Sequence, residues 1–429
     1  MPSDHSGWQE ATIVQVPSMD YNDTSRGEDP DEETWPITKK DLPLSDSAAI
    51  RVMDYAHVVL SKRLSDNNND SGLDIFNFET TLARFLNSEI ELGKRVAFGN
   101  FAEIFVIRKW KGPIGTKPCT PEQTEAANKV MATFRPDELV VKVLRPVLLT
   151  NVSLYATGAA DILAEGTLLA TLNHPHIVKI HGRSVPSVEG FASGKRDSFF
   201  LILERLHGNL ADRVGEWYER ANDNSMRKVG VQGMRRTRTM ILLERLEAMK
   251  QLADAITYLH SKQIIHRDLK LSNVGFDHQG RVKLLDFGLA KVLPPHTNEN
   301  ETFKMTGNTG SMRYMAPEIA RSEHYNLKAD VYSFGIILYE VLNLSKAWGG
   351  MQPHEIKNRV IVRKQRPLIS MLWPAPLRDL LRSTWSDLPA GRLAMKHVLS
   401  VLEKQVQLLE AEVSSTTNSK NGEKPSRFH

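Results

Sequence analysis

The chain has 429 residues, of which 41% are hydrophobic and 25% charged, so it can bury a large core and is long enough for two or three compact units. Its net charge is +4; ten acidic residues against three basic ones give the first 41 positions a charge of −7 and leave +11 for the rest. That mildly basic remainder suits phosphate ligands or acidic partners. No stretch alternates Lys or Arg with aromatic residues, so we expect no nucleic-acid surface.

The chain has one cysteine, Cys119, which rules out an intrachain disulfide and a zinc site built from cysteines. It shows no secretory leader at its start and no apolar run near the ~20 residues that a membrane-spanning helix needs. We therefore expect a soluble intracellular protein, cytoplasmic or nuclear, without a membrane span.

Two segments precede the main body of the chain. Residues 1–45 are acidic, contain five prolines and show no sustained period, so we expect a disordered tail. Residues 46–91 follow as a helical extension, because apolar residues from Ile50 to Leu64 recur every three or four positions, and a second short helix is expected around Phe85. These helices either dock on the body or bind a partner, and we favour docking.

The next elements of note carry opposite charges. Residues 138–144 read as a strand in which Lys142 is surrounded by apolar side chains, and leaving it buried without a partner would cost on the order of several kcal/mol. Glu165 lies on an otherwise apolar helical face with Ile162 and Leu169, which makes it the expected counter-ion. The alternative is that both are ordinary surface charges. Gly166 costs a helix ~1 kcal/mol relative to Ala, which predicts a loosely held helix.

Two longer stretches lack the period of a buried element. Residues 111–137 contain four prolines and are expected to form a solvated loop. Residues 217–245 carry seven Lys and Arg side chains, and we expect a solvated basic loop there; the alternative is a docking patch for an acidic partner or an anionic lipid. A long helix should then cover residues 246–260.

The stretch His266 to Asn273, His-Arg-Asp-Leu-Lys-Leu-Ser-Asn, is followed by Asp286-Phe287-Gly288. A turn at 277–280 and a strand at 281–285 form a hairpin that brings Asn273 and Asp286 together. Phosphoryl transfer from ATP needs a carboxylate beside the accepting hydroxyl and oxygen ligands for Mg²⁺, and Asp268, Asn273 and Asp286 supply these groups. The alternative for Asp268 is a turn or capping aspartate.

These two motifs, with Lys270 and the later Ala316-Pro317-Glu318, resemble the signature set of the eukaryotic protein kinases. The runs 330–335, Asp-Val-Tyr-Ser-Phe-Gly, and 385–392, Trp-Ser-Asp-Leu-Pro-Ala-Gly-Arg, most resemble the tyrosine-kinase-like branch of the serine/threonine kinases. The family's Arg-Pro is Arg392-Leu393 here. The resemblance implies an α+β, two-lobed protein kinase fold with a small β-rich N-lobe that has one key helix and a larger, mostly helical C-lobe.

The resemblance implies a nucleotide site in the N-lobe. Lys142 resembles the lysine that grips the ATP phosphates and pairs with the helical Glu165. The glycine-rich loop is matched by residues 97–104, where only the middle glycine is kept, and an Ala forced to positive φ costs on the order of 1 kcal/mol. Hinge backbone groups would bond the adenine in front of Leu203. The ATP-binding positions are Ala97, Gly99, Ala102, Ile104, Lys142, Leu203, Glu204 and Leu206.

In the C-lobe, the resemblance implies that Asp268 accepts the hydroxyl proton, Lys270 steadies the transferring phosphoryl group, and Asn273 and Asp286 hold Mg²⁺. Thr306 and Thr309 in the activation segment are the expected phosphorylation sites, with Arg267 as the phosphate-binding residue. Ser311 matches the acceptor-contacting Thr and, with Lys270, favours serine/threonine specificity. The expected structural residues are His266, Arg267, Phe287, Glu318, Asp330 and Arg392, with Asp330 tethering the catalytic loop and Arg392 paired with Glu318.

The expected domain order is a tail (1–45), a helical extension (46–91), a kinase domain (92–408) and a polar C-terminal tail (409–429). Within the kinase domain the N-lobe is about 92–203, the hinge 204–208 and the C-lobe about 209–408. The sequence predicts a serine/threonine kinase that uses ATP and Mg²⁺ on protein substrates. The alternatives to this prediction are a kinase-fold scaffold, suggested by Ala97 and Ala102, and a small-molecule phosphotransferase.

Overall fold

The computed structural model describes residues 46–64, 82–99, 101–112, 119–145, 147–148, 151–185, 190–191, 199–223, 230–295 and 298–421. The acidic segment 1–45, for which we expect disorder, lies outside these residues. A β-rich N-lobe is followed by a mostly helical C-lobe, in agreement with the expected architecture. Within the described residues, no helix combines the length and the apolar character that crossing a bilayer requires.

The N-lobe is built on one sheet, whose strand order is β1-β5-β6-β4-β3-β2. Neighbouring strands are antiparallel, except that β1 pairs in parallel with β5. In the central strand β4, Val140, Lys142 and Leu144 point to one face while Val141 and Val143 point to the other. The strands are β1 Arg84–Phe85, β2 Ile90–Phe98, β3 Ala102–Trp110, β4 Leu139–Leu144, β5 Ile180–Ser184 and β6 Phe200–Glu204.

The helical extension expected over 46–91 ends earlier than predicted. Phe85, expected in a helix, lies in β1, and the N-lobe sheet therefore starts at Arg84. Gly182 makes this pairing possible, because a Cβ there would lie 2.6 Å from the ring of Phe85. The helix prediction for Phe85 was wrong because this residue is held in an extended conformation by pairing with β5, which lies about 100 residues later in the sequence.

A helix of 13 residues occupies about half of the segment expected to be a solvated loop at 111–137. Helix α2, which follows α1 (Asp46–Leu64), spans Pro121–Thr133 and covers the outer face of the sheet with the fully buried Ala127. Its start is well defined: the Thr120 hydroxyl accepts from the N–H of Gln123 and the Gln123 side chain accepts from the N–H of Thr120, with Pro121 in the first turn. The loop prediction was wrong.

Helix α3, Val152–Thr171, lies under the inner face of the sheet and is apolar on almost all sides. A helix that is apolar on all sides must be packed against other parts of the protein on every side. Helix α1 covers one side by packing along α3, with Val52 and Ala56 fully buried. It also contacts a short strand that follows Asp286. The docking interpretation of the first helix agrees with this packing.

The C-lobe surrounds a fully buried central helix, α7, as expected from its apolar sequence. Two short antiparallel pairs, β7 with β10 and β8 with β9, lie at the lobe boundary. These strands are β7 Ile264–Ile265, β8 Val274–Phe276, β9 Val282–Leu284 and β10 Lys291–Val292. The helices are α4 Leu210–Asn222, α5 Gly230–Ser261, α6 Pro317–Ala320, α7 Lys328–Asn343, α8 Pro353–Lys357, α9 Ala375–Thr384 and α10 Met395–Asn421.

Apart from Asp223, the described residues of the basic segment 217–245 are helical, in α4 and the first half of α5, so the loop prediction was wrong here as well. Several of its charges are satisfied within the chain. Arg220 makes a bidentate pair with Glu244 at 2.6 and 2.8 Å, and the indole N–H of the buried Trp217 donates to the same carboxylate. The C-terminal tail expected from 409 is also corrected, since α10 continues to Asn421 and packs on α5.

Candidate functional site

The catalytic loop is held in place by Asp330 at the start of α7. The backbone N–H groups of His266 and Arg267 donate to its two carboxylate oxygens at 2.8 and 3.0 Å. Burial alone would raise the pKa of Asp330, but the hydrogen bonds it accepts, above all from the ring of His260, lower it. Asp330 is therefore an ionised buried anchor that fixes the two residues preceding Asp268.

Asp268 is the centre of a hydrogen-bond cluster. Its Oδ2 accepts from Lys270 Nζ at 2.7 Å and from Asn273 Nδ2 at 3.1 Å. Its Oδ1 accepts from both the backbone N–H and the hydroxyl of Ser311, at 3.1 and 3.0 Å. Charge-assisted bonds of this kind fix a carboxylate in position and orientation. A turn or capping role would not assemble these three side chains around it.

The hairpin of β8 and β9 brings Asn273 and Asp286 together, with Asn273 Nδ2 3.5 Å from Asp286 Oδ2. Burial would raise the pKa of Asp286, but Lys142 and Lys270 outweigh it and hold that pKa below its ordinary value. Asn273 uses its amide N–H groups within the protein, towards Asp268 and Asp286. An amide oxygen and an ionised carboxylate are hard oxygen ligands, so this donor set fits Mg²⁺.

Lys142 forms an ion pair with Glu165 across the interface of β4 and α3, and its Nζ lies 3.7 Å from Asp286 Oδ1. Burial opposes its charge, but Glu165 and Asp286 together raise the pKa of Lys142. The surface-charge alternative is therefore wrong for this pair. Gly166 has a packing role that the sequence did not reveal: a Cβ there would lie 2.7 Å from Leu201 Cδ2, so glycine lets α3 approach β6 closely.

Ala97 lies near the end of β2, Gly99 in the turn that follows, and Ala102 at the start of β3, where Ile104 lies opposite Lys142 of β4. Neither alanine has a positive φ. The strain expected for alanine at these positions is therefore absent. The N–H of Gly99 donates to the carbonyl of Ala102 at 2.8 Å, which closes the turn.

The segment joining the lobes runs from the end of β6 to α4. Leu203 is buried in the inner core, and the Glu204 carboxylate is held by Lys283 Nζ and by the N–H of Lys179, both at 2.8 Å. Leu206 follows on the side that faces β8. These three expected ATP-binding positions thus lie between the sheet that carries Lys142 and the hairpin that Asp286 follows.

The activation segment is connected to the catalytic loop through Arg267. Its guanidinium donates to the Leu289 carbonyl at 2.6 Å and to the Thr306 hydroxyl at 3.1 Å. Thr306 is exposed, whereas Thr309 is buried and donates its hydroxyl to the Thr306 carbonyl. Of the two expected phosphorylation sites, only Thr306 is accessible in this conformation.

Three further structural residues lie where the resemblance implies. Phe287 is fully buried, edge-on to the ring of His266 at 5.0 Å between centroids. Glu318 and Arg392 form a buried bidentate pair at 2.6 and 2.7 Å. Losing one partner of such a pair leaves an uncompensated buried charge, which is strongly destabilising.

Glu340 is not among the residues predicted from the sequence. Its carboxylate accepts a hydrogen bond from the Tyr314 hydroxyl at 2.8 Å. Tyr314 lies three residues after Ser311, so this bond ties the segment that follows Ser311 to α7. The available signal was one charged residue inside an otherwise apolar helix, which in the core requires a partner.

Comparison with known proteins agrees with this geometry. Residues 130–402 match the family model of the protein kinase domain, which is more than half of the chain. The chain belongs to the protein kinase family.

Curated relatives are kinases of several kinds. Serine/threonine/tyrosine-protein kinase HT1 of Arabidopsis thaliana is 35% identical over 153 residues, covering 36% of this chain and 38% of that protein. Serine/threonine-protein kinase VIK of the same plant is 30% identical over 321 residues, covering 73% and 59%. Mitogen-activated protein kinase kinase kinase 7 of Drosophila melanogaster is 27% identical over 256 residues, covering 58% and 32%. The chain spans less than two thirds of each of these relatives.

Proposed function

We propose that the chain is a serine/threonine protein kinase that transfers the γ-phosphate of ATP to hydroxyl groups of protein substrates. The observation that carries this proposal is the convergence of Asp268, Asn273 and Asp286 on one side of the cleft with Lys142 on the other. Membership of the protein kinase family and the names of the relatives support the same reaction.

Each group has a role that follows from its position. Lys142, oriented by Glu165, binds phosphate oxygens; Asp268 accepts the proton of the attacking hydroxyl; and Lys270, bonded to Asp268, neutralises charge on the transferring group. Asn273 and Asp286 would hold Mg²⁺, which when bound neutralises the phosphates. Serine/threonine specificity is supported by Ser311 beside Asp268, where the acceptor hydroxyl must lie.

The test is transfer of radiolabelled γ-phosphate from ATP by the full chain, to itself and to a generic basic protein, compared with Asp268→Asn. We expect transfer by the wild type to serine and threonine, and a loss of at least about 100-fold in the variant, because the proton acceptor is gone. Equal background labelling by both proteins would overturn the proposal in favour of a kinase-fold scaffold. Labelling of small alcohols but of no protein would favour a small-molecule phosphotransferase.

A further inference from the structure

Two cations lie beside the segment that carries Ser311. Arg313 follows Ser311 by two residues and is half-buried, and Lys346, in the loop that follows α7, is exposed. In the described part of the chain neither of them forms an ion pair with a carboxylate. Their positive charge is therefore not neutralised by a direct partner within the chain.

Arg313 is held in place by the loop that follows α7. Its guanidinium donates to the carbonyl of Ala347, and the next residue, Tyr314, donates its hydroxyl to Glu340 at 2.8 Å. The N–H of Ala347 donates to the same carboxylate at 2.8 Å, so the activation segment and this loop form one network. One carbonyl uses only part of a guanidinium, and the other N–H groups of Arg313 remain for a further anion.

Arg313 also lies close to the place where the acceptor hydroxyl must be. The Ser311 hydroxyl is 3.0 Å from Asp268, and the N–H of Tyr314 donates to the Ser311 carbonyl at 2.9 Å, which closes a turn. The ends of such a turn lie within about 7 Å of each other, and Arg313 is inside it. Because an extended peptide advances about 3.3 Å per residue, a side chain within about three residues of the acceptor would reach Arg313.

The stretches that form this side of the acceptor site carry cations and almost no acids. In residues 302–316 and 343–351 every charged residue is a cation, namely Lys304, Arg313 and Lys346. In the catalytic loop, 266–273, Asp268 is the one acid, and its carboxylate accepts from Lys270 at 2.7 Å. A surface lined by charge of one sign attracts ligands of the opposite sign.

Glu340, the carboxylate that binds Tyr314, does not offset this charge for a substrate. It is fully buried, and both of its oxygens accept hydrogen bonds from within the protein. Burial raises the pKa of Glu340, while those hydrogen bonds and the charges of Arg313 and Lys346 lower it. Both cations thus act on this part of the structure, and the only acid they meet there is closed to a peptide.

We infer that Arg313 and Lys346 select protein substrates in which acidic residues lie within about three positions of the acceptor serine or threonine. This inference rests on the proposed function and names its substrate class. A carboxylate at Arg313 would form charge-assisted hydrogen bonds, whereas a lysine or arginine there would meet charge of its own sign. The generic basic protein of the activity test should accordingly be a slower acceptor than an acidic one.

The test is phosphate transfer by the full chain to three peptides that differ only beside the acceptor. Each peptide has one serine, flanked on both sides by aspartate, by alanine or by lysine. We expect kcat/KM for the aspartate peptide to be about tenfold above that for the alanine peptide, mainly through a lower KM, and the lysine peptide to be the poorest. Raising the salt from about 0.05 M to about 0.5 M should narrow the difference, because salt screens partly exposed charges.

Variants separate the two cations from the rest of the chain. Arg313→Gln removes the charge but keeps an amide that can donate to the Ala347 carbonyl, and should reduce the preference for aspartate over alanine to about threefold. The double variant Arg313→Glu, Lys346→Glu should prefer the lysine peptide. The matched control is Lys404→Glu at an exposed position of α10, which should keep the preference of the wild type.

Equal kcat/KM for the three peptides would overturn the inference while leaving the kinase reaction in place. So would a preference for aspartate that persists in the double variant, or an equal loss toward all three peptides in Arg313→Gln, which would assign Arg313 to positioning the segment. Thermal unfolding identifies the variants that fold, and Arg313→Gln decides the question if the double variant does not. A wild type that labels no peptide, no protein and not itself would instead remove the proposed function.

Discussion

Ser311 donates two hydrogen bonds to one carboxylate oxygen of Asp268, from its backbone N–H at 3.1 Å and from its hydroxyl at 3.0 Å. This contact joins the activation segment to the catalytic loop. Gly310 allows it: its φ is 92°, and a Cβ there would collide with the carbonyl oxygen of Arg267. The position of the activation segment is therefore coupled to Asp268, the residue expected to receive the acceptor proton.

Ser311→Ala removes one of these two bonds to Asp268. A hydrogen bond to a charged group contributes about 1.5 kcal/mol, so we expect kcat for protein substrates to fall about tenfold while the KM for ATP stays unchanged. Ser311→Thr keeps the hydroxyl and should retain most activity. The measurement is steady-state phosphate transfer with each substrate varied in turn. An equal loss in the alanine and threonine variants would show that the hydroxyl bond is not the cause.

The packing of α1 against α3 predicts a second effect. Val52 on α1 is fully buried, while Val58 on the same helix is 48% exposed. Val52→Asp would bury a charge without a partner, so it should lower the free energy of unfolding by about 2–4 kcal/mol or release α1. Because α3 carries Glu165, amide hydrogen exchange in α3 should speed up and transfer should slow. Val58→Asp is the matched control; identical behaviour of the two variants would show that docking does not support α3.

The ion pair of Lys142 and Glu165 illustrates what could be predicted from the sequence. Both are charged residues in otherwise apolar elements, and burial without a partner is so costly that pairing is the natural solution. Asp268, Asn273 and Asp286 could be placed together for a local reason, since a short hairpin connects them. These predictions depend on neighbours in sequence or on one strong energetic demand.

The strand and the helix that the sequence did not predict, β1 and α2, depend on partners that are distant in the sequence. Arg84 and Phe85 form a strand only because the edge of β5 is available, and Gly182 makes room for the phenyl ring. Helix α2 has few apolar residues and is stabilised by covering the outer face of the sheet, so its sequence resembles a surface loop.

Arg245 shows why the basic segment could not be read from charge alone. Its guanidinium donates to the carbonyls of Val341 and Leu342 at 3.4 and 3.3 Å, in the last turn of α7. Burial lowers the pKa of Arg245 to about 10, which still leaves it charged at neutral pH. A cation at a helix C-terminus satisfies carbonyls that have no partner within the helix.

Arg245→Met keeps the aliphatic stem of the side chain but removes these donors. We expect the free energy of unfolding to fall by about 1–2 kcal/mol, because two carbonyls in the last turn of the central helix lose their partner. Arg238→Met, at a partly exposed position of α5, which also carries Arg245, should change the free energy of unfolding by less than about 0.5 kcal/mol. Urea denaturation measures the free energy of unfolding of both variants. Equal stabilities of the Arg245→Met and Arg238→Met proteins would contradict a capping role for Arg245.

Glu340 should make stability depend on pH. It is fully buried on α7, where its two oxygens accept the Tyr314 hydroxyl and the N–H of Ala347, both at 2.8 Å. Burial raises the pKa of Glu340 to about 7, against an ordinary value of 4.5. A carboxyl whose pKa is raised on folding stabilises the folded state below pH ~4.5, and this contribution is lost as pH rises through about 7.

Glu340→Gln should abolish this dependence. Its amide can donate to the Tyr314 oxygen and its carbonyl can accept from Ala347, as the protonated acid does. From pH 5 to pH 8 the wild type should therefore lose up to about 3 kcal/mol relative to the variant, since each unit of pKa shift corresponds to about 1.4 kcal/mol. Thermal unfolding of both proteins across this range measures the difference, and the histidines common to both cancel. Parallel curves would show that Glu340 does not titrate in this window.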